Sequence, residues 1–293
     1  MARHARIVHE ESELGCWTRV FGSPDPLLRP LLHRPHCGFV QHAARFDRWI
    51  EPPPPALTLI ISLEGQIGTG AEGLLPGAWM TGLADAAQLI ELPGRQALID
   101  VKLAPLGAYT LLGRPLSELA GTVVSLDELF GAAGWELSER LRDLRGWDER
   151  FATVDAFLAG RAAGGPPPNP TVARALERLR ESGGRLAIGA LAAELGCSRR
   201  YLAARFAEQV GLPPKSIARL LRFESVRRRL AANPVRWADI AHDCGYCDQS
   251  HLNRDFGDLA GTTPTDFLAR QIPGGGVIGD EFPIVQDAHA SVA

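Results

Sequence analysis

The spacing of apolar positions changes character twice along the chain. Between residues 36 and 103 they come in short runs: Leu57–Leu63 (LTLIISL) behind the prolines 52–55, Gln88–Leu92, and Ala97–Leu103 (ALIDVKL), the last two separated by Pro93-Gly94. Leucine-rich and β-branched runs of this length between Pro and Gly predict strands. Several in succession predict an antiparallel sandwich or barrel. After residue 130 the period lengthens to that of a helix, with Trp135, Leu137, Leu141 and Leu144, then Phe151, Val154, Phe157 and Leu158, defining two amphipathic helices. Such a pair either covers the sheet or forms a contact between subunits.

The stretch Gly164-Gly165-Pro166-Pro167-Pro168-Asn169-Pro170 cannot continue a helix and reads as a semi-rigid linker. It ends as a helix start. Asn169 suits an N-cap, Pro170 suits the first helical position, and Val172, Ala175, Leu176 and Leu179 follow at helical spacing before Gly183-Gly184. The chain is therefore expected to comprise an α+β domain over residues 1–163, a linker over 164–170, an all-α unit over 171–271, and a tail over 272–293 that is mobile from Pro273 onward.

Inside the all-α unit one pattern occurs twice. Ile188, Leu191, Ala192 and Leu195 make a short helix, Gly196 turns the chain, and Ser198 caps a second helix with Leu202, Phe206 and Val210 inward. Residues 237–244 repeat the short helix, Gly245-Tyr246 the turn, and Asp248 caps a helix with Leu252, Phe256 and Leu259 inward. Each is a helix-turn-helix. The first presents Arg199, Arg200 and Arg205; the second presents Gln249, Ser250, Asn253 and Arg254, side-chain types able to make bidentate contacts to base edges or phosphates. A connecting helix from Pro214 to Ala232, rising ~1.5 Å per residue, would hold the units about 28 Å apart, close to the ~34 Å turn of B-DNA.

Composition sharpens this picture. A length of 293 residues is a prior for two domains, and 45% hydrophobic with 22% charged residues excludes disorder as the main state. No apolar run approaches the ~20 residues that span a bilayer, so the protein is expected to be soluble and cytoplasmic, without membrane contact. The net charge of −3 hides an asymmetry: residues 171–270 hold 16 Lys+Arg against 11 Asp+Glu. Lys102 and Lys215 are the sole lysines, leaving guanidinium forks as nearly all of the cations. A basic block on an acidic protein suggests a polyanion site, although arginines of this kind also serve simply to solvate helices.

Residues 171–271 resemble the DNA-binding domain of the AraC/XylS family of transcription regulators. The resemblance is carried by Leu191-Ala192, Ser198, Tyr201-Leu202, Phe206, Gly211, Arg222, Ile240-Ala241, Gly245-Tyr246, Asp248 through Leu252, Arg254, Phe256, Gly261 and Thr263-Pro264. It implies seven helices, two of them reading double-stranded DNA. It further implies an upstream cupin-like, β-rich domain that senses a small molecule and dimerises the protein, with RNA polymerase as a further partner. Two departures stand out. Ala203 and Ala204 replace long polar residues of the first reader helix, and Ala187 stands where a Ser or Thr cap is usual. On this reading Arg199, Arg200, Arg227 and Arg254 supply salt-dependent affinity, and Gln249 and Asn253 the base preference.

In the first domain Phe39, Trp49 and Trp79 are candidate walls of a ligand pocket, though aromatics at such positions also serve simply as core. No cofactor is expected. His33, His36, Cys37 and His42 with Cys16 invite a metal reading, yet His36 and Cys37 are adjacent and would point to opposite faces of a strand. Cys244 and Cys247 have Cys-x-x-Cys spacing but straddle a turn, which favours structural thiols. Two alternatives remain beside a ligand sensor: an N-terminal domain that only contacts protein, or a cysteine methyl-acceptor repair protein built around Cys37. The second needs an activated thiolate, and no Ser/His/Asp motif, P-loop or nucleotide fingerprint is present, so the chain is not expected to be an enzyme.

Overall fold

The computed structural model describes residues 5–44, 46–70, 72–75, 77–230, 237–272 and 276–278. Eleven strands among them are β1 (Arg6–Ser12), β2 (Gly15–Phe21), β3 (Cys37–Ala44), β4 (Arg48–Glu51), β5 (Leu57–Glu64), β6 (Ile67–Thr69), β7 (Gly73–Leu75), β8 (Ala78–Thr81), β9 (Gln88–Glu91), β10 (Gln96–Leu103) and β11 (Val123–Ser125). They form two antiparallel sheets, β1-β2-β3-β10-β5-β8-β11 and β4-β9-β6-β7. The long predicted runs become the centre of the larger sheet: β10 pairs with β3 on one side (Ile99 opposite Gly38) and with β5 on the other (Ile99 opposite Ile61).

These central strands are buried on both faces, which is why LTLIISL reads as continuously apolar rather than alternating. Leu57, Leu59, Ile61, Met80, Ile99, Val101 and Leu103 pack toward the helices. Their chain neighbours Ile60, Trp79 and Leu98 pack instead against Ile67 and Leu92, between the two sheets. Pleating supplies the alternation, since successive side chains leave a strand on opposite faces.

Helices α1 (Pro105–Leu112), α2 (Leu126–Phe130), α3 (Ala132–Asp143) and α4 (Trp147–Ala163) follow the sheets. Of the amphipathic pair, α3 covers the sheet, lying on β5 and β8, while α4 packs on α1 and α3. A buried polar contact fixes α4, where His36 Nε2 lies 2.7 Å from Asp155 Oδ1 and the Asp25 amide donates to Asp155 Oδ2 at 2.8 Å.

The all-α unit comprises α5 (Pro170–Glu181), α6 (Ile188–Glu194), α7 (Arg199–Val210), α8 (Pro214–Leu230), α9 (Trp237–Asp243), α10 (Gln249–Ala260) and α11 (Pro264–Arg270). Asn169 caps α5 through the amides of Thr171 and Val172. The connecting helix is described to Leu230 and is about 26 Å long at ~1.5 Å per residue; Ala231 and Ala232 lie outside the described residues. The tail differs in part from its expectation. Most of it lies outside the described residues, but Val277 is fully buried and pairs with Ile50 of β4, where backbone hydrogen bonds of 2.8 and 2.9 Å hold it to the barrel.

The two domains share one apolar core, which runs from the outer face of the large sheet through Leu116 and Leu119 into Val172, Phe206 and Phe223. The end of α7 meets α1 and the turn at residues 116–118. Polar ties add to it: His33 Nε2 lies 3.4 Å from Glu224 Oε1, and Ser216 Oγ bonds Asp85 Oδ2 at 3.2 Å.

Two glycines separate backbone strain from crowding. Gly184 and Gly196 both have left-handed backbones (φ 77° and 65°). A Cβ on Gly184 would sit 2.0 Å from the Ala218 carbonyl oxygen, whereas one on Gly196 would meet nothing within 4 Å. Gly196→Ala should therefore cost about 1 kcal/mol, the left-handed penalty alone, and Gly184→Ala at least about twice that, because a helix carbonyl must move. Chemical denaturation of both variants checks the ordering.

The interdomain pair carries a pH signature. Burial opposes ionisation of Glu224, but His33, Arg228 and Arg227 outweigh it and hold the carboxyl below its ordinary range. A carboxylate depressed on folding adds stability above its unfolded pKa and loses it as pH falls through the folded one. The melting-temperature gap between wild type and Glu224→Gln should thus be open near neutrality and close as pH drops below about 4.5. A gap that stays constant across that range would contradict the assignment.

Candidate nucleic-acid interface and barrel cavity

The two reader helices are built on one plan at an offset of 50 residues. Ser198 and Asp248 accept hydrogen bonds from the amides three residues on, at Tyr201 (3.1 Å) and His251 (2.7 Å). Leu202 and Phe206 of α7 correspond to Leu252 and Phe256 of α10, all fully buried, and both helices end on a left-handed glycine, Gly211 or Gly261. Gln209 departs from this plan, being buried where α10 has Leu259. Its Oε1 accepts from the Asn169 amide at 2.8 Å, so it ties the first unit to the start of α5. Ala187 caps α6 without a side-chain hydrogen bond.

On α10, Gln249, Ser250, Asn253 and Arg254 are all exposed. At ~100° per residue they fall within an arc of about 140° that adjoins, without overlapping, the arc of the buried Leu252, Phe256 and Leu259. The helix is clamped from behind. Arg219 of α8 bonds Asp255 Oδ1 at 2.7 Å and also pairs with Asp258, while Phe223 packs edge-on to Phe256 at 4.8 Å. Sequence spacing gave no sign of this clamp, because its partners lie on different helices.

On α7, Arg199 and Arg200 are exposed at the first turn. Arg205 is also exposed but does not join them: on the helical wheel it stands about 140° from Arg200, it bonds Glu208 Oε2 at 2.7 Å, and it lies over the Tyr201 ring. Arg227 is half-buried on α8 with its guanidinium 5.9 Å from the Phe267 ring. The positive excess of this region is therefore unevenly available. Arg174, Arg178, Arg219 and Arg229 are all ion-paired within the unit, whereas Arg199, Arg200 and Arg254 have no ion-pair partner among the described residues. Exposed cations without an ion-pair partner among the described residues thus include Arg199, Arg200 and Arg254 on the two reader helices, and also Arg185, Lys215, Arg228 and Arg270 elsewhere in the unit.

The second candidate site lies between the sheets. Phe39, Trp49 and Trp79 all line a cavity of about 210 Å³, together with Trp17, Arg19, Cys37, Asp100 and Lys102. Cavity-facing residues of β5, β8 and β10 are the alternates of those packed on the helices. Ile272 and Gly276, which follow α11, reach the same wall.

The metal-capable side chains of the first domain are dispersed into other contacts. His36 is fully buried against Asp155, and His42 Nε2 lies 2.8 Å from Thr18 Oγ1. Among the described residues no three His, Cys, Asp or Glu side chains are grouped as a metal site, and no helix is long and apolar enough to cross a membrane. Burial, reinforced by Asp100, pushes the Cys37 thiol above its ordinary value. Burial does the same for Cys244, while Cys247 is exposed.

Residues 191–270 match the family model of a helix-turn-helix domain. Similar curated proteins include AraC-like transcription regulators of Streptomyces antibioticus, 34% identical over 121 residues, and of Streptomyces lividans, 35% identical over 115 residues. These matches take in 41% and 39% of this chain, and 38% and 36% of the relatives' own lengths. Among solved structures, ToxT from Vibrio cholerae aligns with a TM-score of 0.49 at 13% identity, covering 80% of this chain and 98% of that one. The C-terminal domain of AraT, a response regulator from Geobacillus stearothermophilus, aligns at 0.34 and 21% identity, covering 43% and 98%. The C-terminal unit of this chain carries a helix-turn-helix domain over residues 191–270 and is similar in sequence to AraC-like transcription regulators.

Proposed function

We propose that the protein is a cytoplasmic, sequence-specific DNA-binding transcription regulator whose N-terminal barrel senses a small molecule. The observation that carries this reading is the pair of equivalent helices, each held by a buried core and a cap, whose exposed faces present Arg199 and Arg200 on α7 and Arg254 with the amides of Gln249 and Asn253 on α10. Arg199, Arg200 and Arg254 neutralise phosphates; Arg205 and Arg227, already engaged within the protein, add less. Gln249 and Asn253 read base edges, with Ser250 beside them. Binding as a homodimer and contact with RNA polymerase complete the proposal.

The cavity supports a sensor over an N-terminal domain that only contacts protein, because the space between the sheets is walled by aromatics and reached by the segment leaving α11. A ligand there touches both the barrel and the exit of the DNA reader, which is what differential binding to two states requires. The repair-protein alternative is disfavoured by Cys37, whose burial, reinforced by Asp100, raises the thiol in spite of the opposing Arg34, Arg19 and Lys102. The regulator is accordingly read as non-enzymatic.

Selection of bound sequences from a random DNA pool, followed by salt titration, tests the assignment. Gln249→Ala with Asn253→Ala should flatten base preference, by about 1–3 kcal/mol per lost bidentate contact, with little change in salt slope. Arg199→Ala with Arg200→Ala should reduce the slope by about two and weaken binding to all sequences alike. The reverse pattern would mean that the readers are misassigned.

A further inference from the structure

We propose that the barrel cavity binds a neutral, largely aromatic molecule of roughly nine non-hydrogen atoms whose hydrogen-bond acceptor takes the indole N–H of Trp79. The inference deepens, and rests on, the reading of the barrel as a sensor.

Size comes first. A dry apolar cavity of about 150 Å³ accommodates benzene, so 210 Å³ accepts a ring with a short substituent. The walls suit a ring: Phe46 lies 6.1 Å from Trp17 and 6.0 Å, edge-on, from Trp49, offering both faces and edges to an aromatic guest.

The polar groups then narrow the class. Trp79 is 3% exposed, and its Nε1–H is buried without an acceptor among the described residues. Trp49 is unlike it, since its Nε1–H donates to Glu51 Oε2 at 3.2 Å. Arg19 adds a second such donor: its Nε is buried and unbonded while the far end of its guanidinium pairs with Glu10. Both residues line the cavity with these donors just beneath its surface, and the unbonded acceptor there, Asp100 Oδ1, faces Lys102; a guest that accepts and shifts either side chain slightly meets a buried donor, worth about 1–3 kcal/mol.

Charge argues for neutrality. Arg19 is matched by Glu10, and Arg34 and Lys102 share Asp100, with Lys102 Nζ 3.3 Å from Oδ1 and also donating to Thr58 at 2.8 Å. Glu51 adds another carboxylate to the lining. Three cations against three carboxylates leave no net field for an anion, which would approach Asp100 and Glu51.

Three isosteric probes separate these features. Acetophenone carries the acceptor, isopropylbenzene lacks it, and benzoate adds a charge. By calorimetry on the full chain, acetophenone should saturate one site at least about tenfold more tightly than either of the others. Trp79→Phe, which keeps a ring and removes the donor, should abolish the preference over isopropylbenzene while leaving isopropylbenzene binding in place. Equal binding of acetophenone and isopropylbenzene, tightest binding of benzoate, absence of saturation, or a preference that survives Trp79→Phe would each overturn the proposal. Should the variant not fold, wild-type protein labelled at its six tryptophans gives the same answer. One indole N–H resonance moves downfield with acetophenone and not with isopropylbenzene, and absence of that movement overturns it. DNA affinity measured with and without acetophenone keeps the two readings apart. Binding in the expected pattern with unchanged DNA affinity leaves the site standing and removes the sensor role; no probe binding with intact DNA affinity removes the ligand class alone.

Discussion

Three strands at the middle of the large sheet, β5, β8 and β10, are buried on both faces, and the rest of the molecule is arranged around that constraint. On one face Leu59, Ile61, Met80, Ile99 and Val101 pack toward the helices; on the other Thr58, Ile60, Trp79, Asp100 and Lys102 form cavity wall. A one-residue slip in register would exchange these sets, putting Asp100 and Lys102 into the apolar core. Burying an unpaired charge costs far more than the loss of any single methyl contact, so register and cavity chemistry are specified together. The same core continues through Leu116 into Phe206 and Phe223, which anchors α7 to the outer face of that sheet.

Arginine does two different jobs in the all-α unit, and its partner decides which. Arg219 lies between Asp255 and Asp258 and acts as a strut that fixes the back of α10. Arg178 joins Glu181 on its own helix to Glu194 on α6. Pairs with this much solvent contact stabilise modestly; their consequence here is positional. Once they are set aside, the cations without ion-pair partners on the reader helices are Arg199, Arg200 and Arg254. A regional charge count treats struts and free cations alike, and so overstates how much of the positive charge a polyanion could meet.

What was legible in the sequence was local. Asn169, Ser198 and Asp248 announced three helix starts, Gly196 and Gly245 two turns, and the change from short apolar runs to helical spacing located the border between sheet and helices. Phe39, Trp49 and Trp79 were candidate pocket walls although none lies in a run that the sequence marks as a strand; β3, β4 and β8 carry them to the cavity. What was not legible depends on contacts distant in sequence. Nothing around Gln209 marks it as buried until Asn169, 40 residues away, is seen to donate to it; Arg205 is the exception, because its pairing with Glu208 three residues on follows from helix spacing alone. The tail shows the same limit. A Pro-Gly-rich stretch has no periodicity to detect, yet Val277 finds an unpaired edge on β4 and buries there.

The two helix-turn-helix units take their positions from opposite sides of the barrel. The first is tied through α7 to α1 and residues 116–118, against the helix-covered face of the large sheet. The second is tied by the segment after α11, which pairs with β4 of the smaller sheet and contributes Ile272 and Gly276 to the cavity wall. A change in the spacing of the two sheets therefore bears directly on the second tie and only through the whole core on the first. Packed cores deform little, while a two-residue β-bridge between Ile50 and Val277 is a small contact to exchange. If occupancy of the cavity alters the protein at all, the unit bearing Gln249 and Asn253 is the one whose tether it reaches first.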